Sequence, residues 1–432
     1  MRFSILTLGC KVNTYESQYY IEQLTNHGFE HVSDKEDTDI CIINTCAVTN
    51  TAAKKSRQKI HQAKREHPNA YIVVVGCLGQ FMKPENRQAM EVDCWIGAQH
   101  KNEMADTIRK MIQTKQPSDT IGDIDQRFDF ESMPIHFFDQ QHRAFLKIQD
   151  GCDQFCSYCA IPYARGRERS LNHKEAVRIA KDLVGKGHKE IVLTGIHTGR
   201  YTDHTMRLSD LLKACLKETG KDVHYRISSI EITEVTDELI QLIQENPRIC
   251  RHLHIPIQSG CDQTLQRMNR PYTVSEFKER LAHIRNQCPD LSVSTDVIVG
   301  FCQEDEEEFH QTIQTIQDCQ FSFLHVFPYS KRDGTRASHM DGEPSNAIKK
   351  DRVRQLMKLS DLMRIQDMKR FTDIEVLIER KKGNQYTGYT SQYHPVRIHS
   401  ESLLKGRIIT KWDTIDKDGY TVEMKEGYYA SE

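Results

Sequence analysis

Short apolar runs alternate with longer stretches of helical spacing along most of this chain. Within residues 1–113, the runs 3–8, 39–44 and 71–75 read as buried strands, and 15–27, 52–66 and 101–112 carry helical periodicity between or after them. That alternation predicts a small doubly wound α/β domain. Residues 114–138 turn polar and irregular, with Pro117, Gly122 and Pro134, and read as a linker.

From 139 to 369 the strand-then-helix rhythm returns, with strands at 144–148, 190–193, 225–230, 252–257, 292–299 and 321–327. Helices such as 174–186 and 274–286 separate them, and a long helix over 346–369 follows. Repeated units of this kind predict a partial (β/α)6 barrel whose active groups occupy loops at the strand carboxyl ends. Beyond 370, five short strands at 374–378, 385–390, 396–398, 406–410 and 420–424 predict a small β-barrel spanning 370–432.

A chain of 432 residues accommodates these units with a core for each. Its 59 Lys and Arg nearly balance its 61 Asp and Glu, so only local patches speak about a nucleic-acid partner. No stretch approaches 18 consecutive apolar residues, which predicts no membrane span, and no cleavage pattern follows the opening apolar run. The 14 cysteines are spread over hundreds of residues, from Cys10 to Cys319, as suits a reducing cytoplasm.

Three cysteines stand together in Cys152-Asp-Gln-Phe-Cys156-Ser-Tyr-Cys159, in the loop after the first barrel strand. Three thiolates so spaced can hold three irons of a cubane cluster and leave the fourth open to another ligand. A structural zinc site would want a fourth protein ligand, and the next cysteine, Cys215, is distant. Cys10, Cys46 and Cys77 each follow one of the first three strands. At the carboxyl ends of an open parallel sheet they could converge on one crevice as a second metal site, or be ordinary buried small residues.

Basic residues gather in two places. Lys54, Lys55, Arg57, Lys59, Lys64 and Arg65 share one helix, while Arg380, Lys381, Lys382, Arg397, Lys405, Arg407 and Lys411 interleave with Tyr386, Tyr389 and Tyr393 near the carboxyl end. Such patches suit phosphate contacts and base stacking on RNA, or a solvated charged face. The acidic runs 34–39 and 304–308 read as solvated surface.

The CxxxCxxC motif, with Tyr158 before its last cysteine, resembles that of the radical S-adenosylmethionine enzymes. The N-terminal domain resembles that of the methylthiotransferases within that family, and the C-terminal unit resembles the TRAM RNA-binding module. Asn44-Thr-Cys-Ala-Val-Thr-Asn50, Arg226-Ile-Ser-Ser-Ile-Glu231, His252-Leu-His-Ile-Pro-Ile-Gln-Ser-Gly260 and His325-Val-Phe-Pro-Tyr-Ser330 resemble the branch that modifies N6-threonylcarbamoyladenosine in tRNA. One departure is Phe301-Cys302-Gln303-Glu304, where the family usually carries Pro-Gly-Glu.

The resemblance implies two [4Fe-4S] clusters, one on Cys152, Cys156 and Cys159 and an auxiliary one on Cys10, Cys46 and Cys77. It further implies S-adenosylmethionine near Tyr158, Gly195, Arg226, Ser229, Glu231, Gln258, Ser259 and Asp296, with an Arg226–Glu231 pair as the structural alternative for those two. The expected reaction puts a methylthio group on C2 of N6-threonylcarbamoyladenosine 37, in the anticodon stem-loop of tRNA. Lys55, Arg57, Lys381, Lys382, Arg397, Lys405 and Arg407 would contact the RNA, and an electron donor such as flavodoxin or ferredoxin would reduce the clusters. The alternatives are N6-isopentenyladenosine as the substrate, or a non-catalytic iron–sulfur RNA-binding protein.

Overall fold

A computed structural model describes residues 1–136, 138 and 142–424. The domain boundary expected at 139, and residues 425–432 of the C-terminal unit, lie outside the described residues.

The chain opens on a six-stranded parallel sheet: β1 (Arg2–Thr7), β2 (Glu30–His31), β3 (Ile40–Thr45), β4 (Tyr71–Gly76), β5 (Cys94–Ile96) and β6 (Ser118–Asp119). Their spatial order is β2-β1-β3-β4-β5-β6, so the winding reverses between β1 and β3, where a doubly wound sheet opens its crevice. Alternate residues of the central strands point to opposite faces. Ile40, Ile42, Val73 and Val75 are buried on one face; Cys41, Ile43, Ile72 and Val74 are buried on the other.

Helices α1 (Lys11–Asn26), α2 (Asn50–Glu66) and α3 (Met104–Thr114) cover both faces. Tyr15, Tyr20 and Leu24 of α1 join Met104, Ile108 and Met111 of α3 over the first, and Ala53 and Ile60 of α2 cover the second. Thr49 caps α2, accepting the Ala52 N–H at 3.0 Å. The α1 face is continuous with the core of the next unit, so the two share one apolar interior.

That unit is the expected partial barrel. Its parallel strands are β7 (Arg143–Lys147), β8 (Glu190–Thr194), β9 (His224–Ile227), β10 (His252–His254), β11 (Ser292–Val299) and β12 (Phe323–Pro328). They form two three-stranded sheets joined through a bridge between Ser229 and His254. Strand β10 is shorter than its apolar run because Pro256 has no N–H to give the ladder. Helices α4 (His173–Gly185), α5 (Leu208–Glu218), α6 (Asp237–Glu245), α7 (Val274–Gln287) and α8 (Glu306–Cys319) alternate with the strands, and α9 (Asn346–Met368) packs on β12. Among the described residues β7 and β12 do not pair, and α1 packs against β7.

Among the described residues the C-terminal sheet has six strands where the apolar pattern predicts five: β13 (Asp373–Lys382), β14 (Gln385–Thr390), β15 (Pro395–Ser400), β16 (Arg407–Lys411), β17 (Thr414–Asp416) and β18 (Gly419–Met424). The additional strand, β17, is short and polar at both ends, and so leaves no apolar signal. In the order β16-β13-β14-β15-β18-β17 the sheet curls into a small barrel over Val376, Tyr386, Ile398, Tyr420 and Val422. Among the described residues no helix is long and apolar enough to cross a membrane.

Candidate active site

Each of the first three cysteines is placed by the strand before it. Cys10 follows β1 and caps α1, Cys46 follows β3, and Cys77 follows β4. Gly9 and Gly76, just before Cys10 and Cys77, have φ of +107° and +90°. A Cβ on Gly9 would stand 2.9 Å from Cβ of Cys46, and one on Gly76 would stand 2.6 Å from the Thr45 carbonyl oxygen. Glycine alone permits both the conformation and the approach.

Three polar side chains then fasten the loops to one another. Asn13 Nδ2 donates to the Leu8 and Thr45 carbonyls at 2.6 and 3.0 Å. Ser56 donates to the Cys46 carbonyl at 2.9 Å, and Thr45 Oγ1 accepts the Leu78 N–H at 3.2 Å. Burial, reinforced by the neighbouring Cys77, pushes the Cys46 thiol up to about 11. Burial raises Cys77 as well, against the pull of the Arg165 guanidinium.

The second three cysteines each accept a hydrogen bond. Cys152 Sγ takes the Gln154 N–H at 3.4 Å, Cys159 Sγ takes the Ile161 N–H at 3.5 Å, and Cys156 Sγ takes Nη1 of Arg270 at 3.3 Å. Burial pushes Cys152 and Cys159 up to about 12, so protons must leave when a metal binds. Arg270 is buried and bonded to Glu231 and Tyr272. His197 Nδ1 stands 3.9 Å from Cys152 Sγ, and burial drops its pKa to about 4. Neither Arg270 nor His197 belongs to a spaced motif, so the sequence carries no signal for either.

Among the described residues, the one trio of His, Cys, Asp or Glu whose ligand atoms all lie within 4.8 Å of one another is His254, Asp296 and His325. Both cysteine trios are more open than that. A single tetrahedral zinc, with bonds of about 2.3 Å, would hold its sulfurs roughly 3.8 Å apart. Neither cysteine trio has that spacing, and the donors to Cys152, Cys156 and Cys159 suit thiolates that bind a metal group.

A cavity of about 260 Å³ joins the two cysteine loops. Val48 and Thr49, close after Cys46, line one side; Tyr158, from between Cys156 and Cys159, lines another, together with Gln258, Asp296 and Ile298. Gln258 has φ of +67°. Asp296 Oδ1 is 3.1 Å from Nε2 of His254, whose Nδ1 meets Ser294 Oγ at 2.8 Å.

Several expected ligand contacts are committed to other partners. Arg226 does not reach Glu231: it is buried against Glu190 at 2.8 Å and donates to the Thr390 and Ser391 carbonyls, because the buried Glu190 needs its charge. Glu231 pairs with Arg270 instead. Ser259 is buried with Oγ 3.3 Å from Thr312 Oγ1 on α8, while Ser229 lies at the backbone bridge to His254. At Gly195 the close approach is to the protein's own Gln149, 3.0 Å from where a Cβ would stand.

Residues 2–97 match a family described as the uncharacterized protein family UPF0004, and residues 146–316 match the radical SAM superfamily. The chain is 39% identical to the threonylcarbamoyladenosine tRNA methylthiotransferase MtaB of Bacillus subtilis, over 93% of this chain and 91% of that one. It is 36% identical to the MtaB of Aquifex aeolicus, over 84% of this chain and 89% of that one. The chain belongs to the radical S-adenosylmethionine tRNA methylthiotransferases. It is also 29% identical to the tRNA-2-methylthio-N(6)-dimethylallyladenosine synthase of Thermoanaerobacter pseudethanolicus, over 98% of this chain and 93% of that one.

Among solved structures, the radical S-adenosylmethionine methyltransferase TsrM of Kitasatospora setae shares the fold, with a TM-score of 0.54 and 11% identity over 76% of this chain and 73% of that one. Membership in the radical S-adenosylmethionine methylthiotransferases makes the chain an enzyme, which displaces the non-catalytic alternative, and implies a [4Fe-4S] cluster and S-adenosylmethionine.

In this methylthiotransferase a buried ionic network ties the first domain to the barrel. Arg165 reaches Glu16 at 3.0 Å and Asp150 at 3.1 Å; Lys147 reaches the same carboxylates at 2.8 and 2.6 Å. Lys101 joins at Glu16 and Arg169 at Asp150, at 2.7 and 3.2 Å. Four cations therefore surround two carboxylates, and the charge of Arg165 also draws down the Cys46 and Cys77 thiols against burial. An anionic cluster on those thiols would balance it.

The proposed RNA contacts divide into free and committed groups. Lys55 and Arg57 are exposed on α2, and Lys381, Lys382 and Lys405 are exposed on the C-terminal barrel. Arg397 instead pairs with Asp416 at 2.6 Å, and Arg407 pairs with the buried Glu190 at 2.9 Å, fastening the C-terminal barrel to β8. The tyrosines are not outward stacking surfaces either. Tyr386 is core, while Tyr389 and Tyr393 stack on each other at 4.9 Å under Arg143. Glu304, expected on an acidic surface, is buried against Arg352 at 2.9 Å.

Proposed function

We propose that this methylthiotransferase converts N6-threonylcarbamoyladenosine 37 of tRNA to its 2-methylthio derivative, with one [4Fe-4S] cluster on Cys152, Cys156 and Cys159 and a second on Cys10, Cys46 and Cys77. The observation that carries this reading is the cavity bounded on one side by the Cys46 loop and on the other by Tyr158. A base held there would meet both metal groups, so proximity replaces diffusion between two sites. The clusters would supply reductive cleavage of S-adenosylmethionine at one side and sulfur at the other.

The protein's own residues hold and orient. Three N–H donors fix the sulfurs of the 152–159 loop, and Gln258 and Asp296 offer polar atoms to an adenosyl group at the barrel mouth. Exposed Lys55 and Arg57, with Lys381, Lys382 and Lys405, would track the phosphates of an anticodon stem-loop, whose unpaired base can enter without opening a duplex. An electron donor such as flavodoxin or ferredoxin and a cytoplasmic setting complete the reading.

The nucleoside is argued from the relatives named for threonylcarbamoyladenosine, which are more similar to this chain than the relative named for dimethylallyladenosine. Incubating the reconstituted, reduced enzyme with anticodon stem-loops bearing either nucleoside, then digesting and weighing the products, tests it. A 2-methylthio product from the threonylcarbamoyl substrate supports the reading; product from the isopentenyl substrate alone contradicts it.

A further inference from the structure

Lys11, the first residue of α1, is a cation without an anion. It extends beside the barrel interior, its Nζ 5.6 Å from the ring centroid of Tyr393, and among the described residues its ammonium makes no hydrogen bond and no ion pair. The neighbouring charges are already matched. Arg143 and Arg226 bind Glu190 at 2.9 and 2.8 Å, and Asp296 is held by His254 at 3.1 Å. The first turn of α1 has no acidic residue and no side-chain cap, so its unpaired N–H groups add to the positive field there.

Lys11 of the first unit meets Tyr393 of the C-terminal barrel, which in turn stacks on His252 of the partial barrel. Tyr393, from the turn between β14 and β15, stacks on His252 of β10 at 5.2 Å, and His252 stacks on Phe323 of β12 at 5.8 Å. Above that aromatic floor His325 lies beside His254 and Asp296, and Asp296 also lines the cavity that joins the cysteine loops. An unpaired, partly buried cation is costly unless an anion arrives to meet it.

We infer that Lys11 is the receptor for the carboxylate of the threonylcarbamoyl group, and so determines which N6-substituted adenosine is accepted. The inference rests on the reading of the substrate given under the proposed function. Chemically it is direct: the threonylcarbamoyl group carries a carboxylate and the isopentenyl group carries none. Lys11 is adjacent to Cys10, so a bound carboxylate would anchor the base close to the proposed auxiliary cluster, where C2 must be presented.

The test compares binding of the full-length, cluster-loaded protein to three anticodon stem-loops, bearing N6-threonylcarbamoyladenosine, its methyl ester, or N6-isopentenyladenosine. Wild type should bind the acid about tenfold or more tighter than the ester, as expected for losing a charge-assisted hydrogen bond. Lys11→Gln should bind acid and ester alike, and Lys11→Arg should keep the preference.

Iron content and the visible spectrum of each variant separate this role from service to the neighbouring cluster. A Lys11→Gln protein that loses iron but keeps the acid-over-ester preference overturns the inference, as does a wild type without that preference that still methylthiolates the acid. If wild type methylthiolates only the isopentenyl substrate, the proposed function fails and this inference with it.

Discussion

Arg270 points one guanidinium nitrogen at Cys156 Sγ, 3.3 Å away, while bonding Glu231 and Tyr272 with the rest of the group. It is thus a buried cation shared between a carboxylate and a proposed cluster thiolate. Arg270→Met should strip the donor from sulfur and leave Glu231 unpaired. Outer-shell changes of this kind typically cost about 10- to 100-fold in metal affinity. Iron retained per chain against a chelator should fall accordingly, and Arg270→Lys should restore part of it.

The buried network around Glu16 and Asp150 gives a stability prediction. Arg165→Met removes the guanidinium that bridges both carboxylates, and breaking a buried pair from one side costs about 3–5 kcal/mol. Urea unfolding should show that loss, and cluster loading should raise Tm more in wild type than in the variant, because Arg165 also faces the Cys46 and Cys77 thiols.

Asp367, near the carboxyl end of α9, ties it to β11 and to the turn before β15: its carboxylate accepts from His394 at 2.8 Å and from Ser292. Burial alone would raise its pKa, yet the hydrogen bonds from His394 and Ser292 outweigh it and bring the group to about 2. The ordinary value is about 3.9, so the carboxylate's stabilisation is fully present above about pH 4 and fades as pH falls toward 2. Wild type should exceed Asp367→Asn by about 2 kcal/mol at neutral pH. Acid unfolding should show the two converging across that interval.

RNA binding should separate exposed lysines from committed arginines. Lys55→Glu or Lys382→Glu should weaken stem-loop binding and lower the salt slope by about 1 for each phosphate no longer neutralised. Arg407→Ala should instead destabilise the junction with Glu190. Fluorescence anisotropy over a salt series would distinguish the two outcomes.

Much of this architecture was legible in the apolar pattern. The central strands β1, β3 and β4, the barrel strands and α9 sit where periodicity places them, because their burial is continuous and their side chains carry the signal. Strands β2, β6 and β17 are short and polar, and take their form from pairing with neighbours rather than from their own residues. At the candidate site, the CxxxCxxC spacing singled out Cys152, Cys156 and Cys159 and the strand ends singled out Cys10, Cys46 and Cys77, but charge partners were hidden. Glu190 claims Arg226, Arg270 claims Glu231, and Arg352 draws Glu304 out of solvent, each a choice made between residues far apart in sequence.

The central claim is that two cysteine sets divide one reaction. Its most direct test is a protein with Cys10, Cys46 and Cys77 all changed to Ala, reconstituted without oxygen, reduced, and given a stem-loop bearing N6-threonylcarbamoyladenosine. Wild type should hold about eight irons and the variant about four, as two cubanes and one require. Mass spectrometry should find that the variant still cleaves S-adenosylmethionine to 5′-deoxyadenosine yet forms no 2-methylthio nucleoside. A variant that makes the methylthio product, or a wild type with only four irons that makes it equally well, would contradict the account.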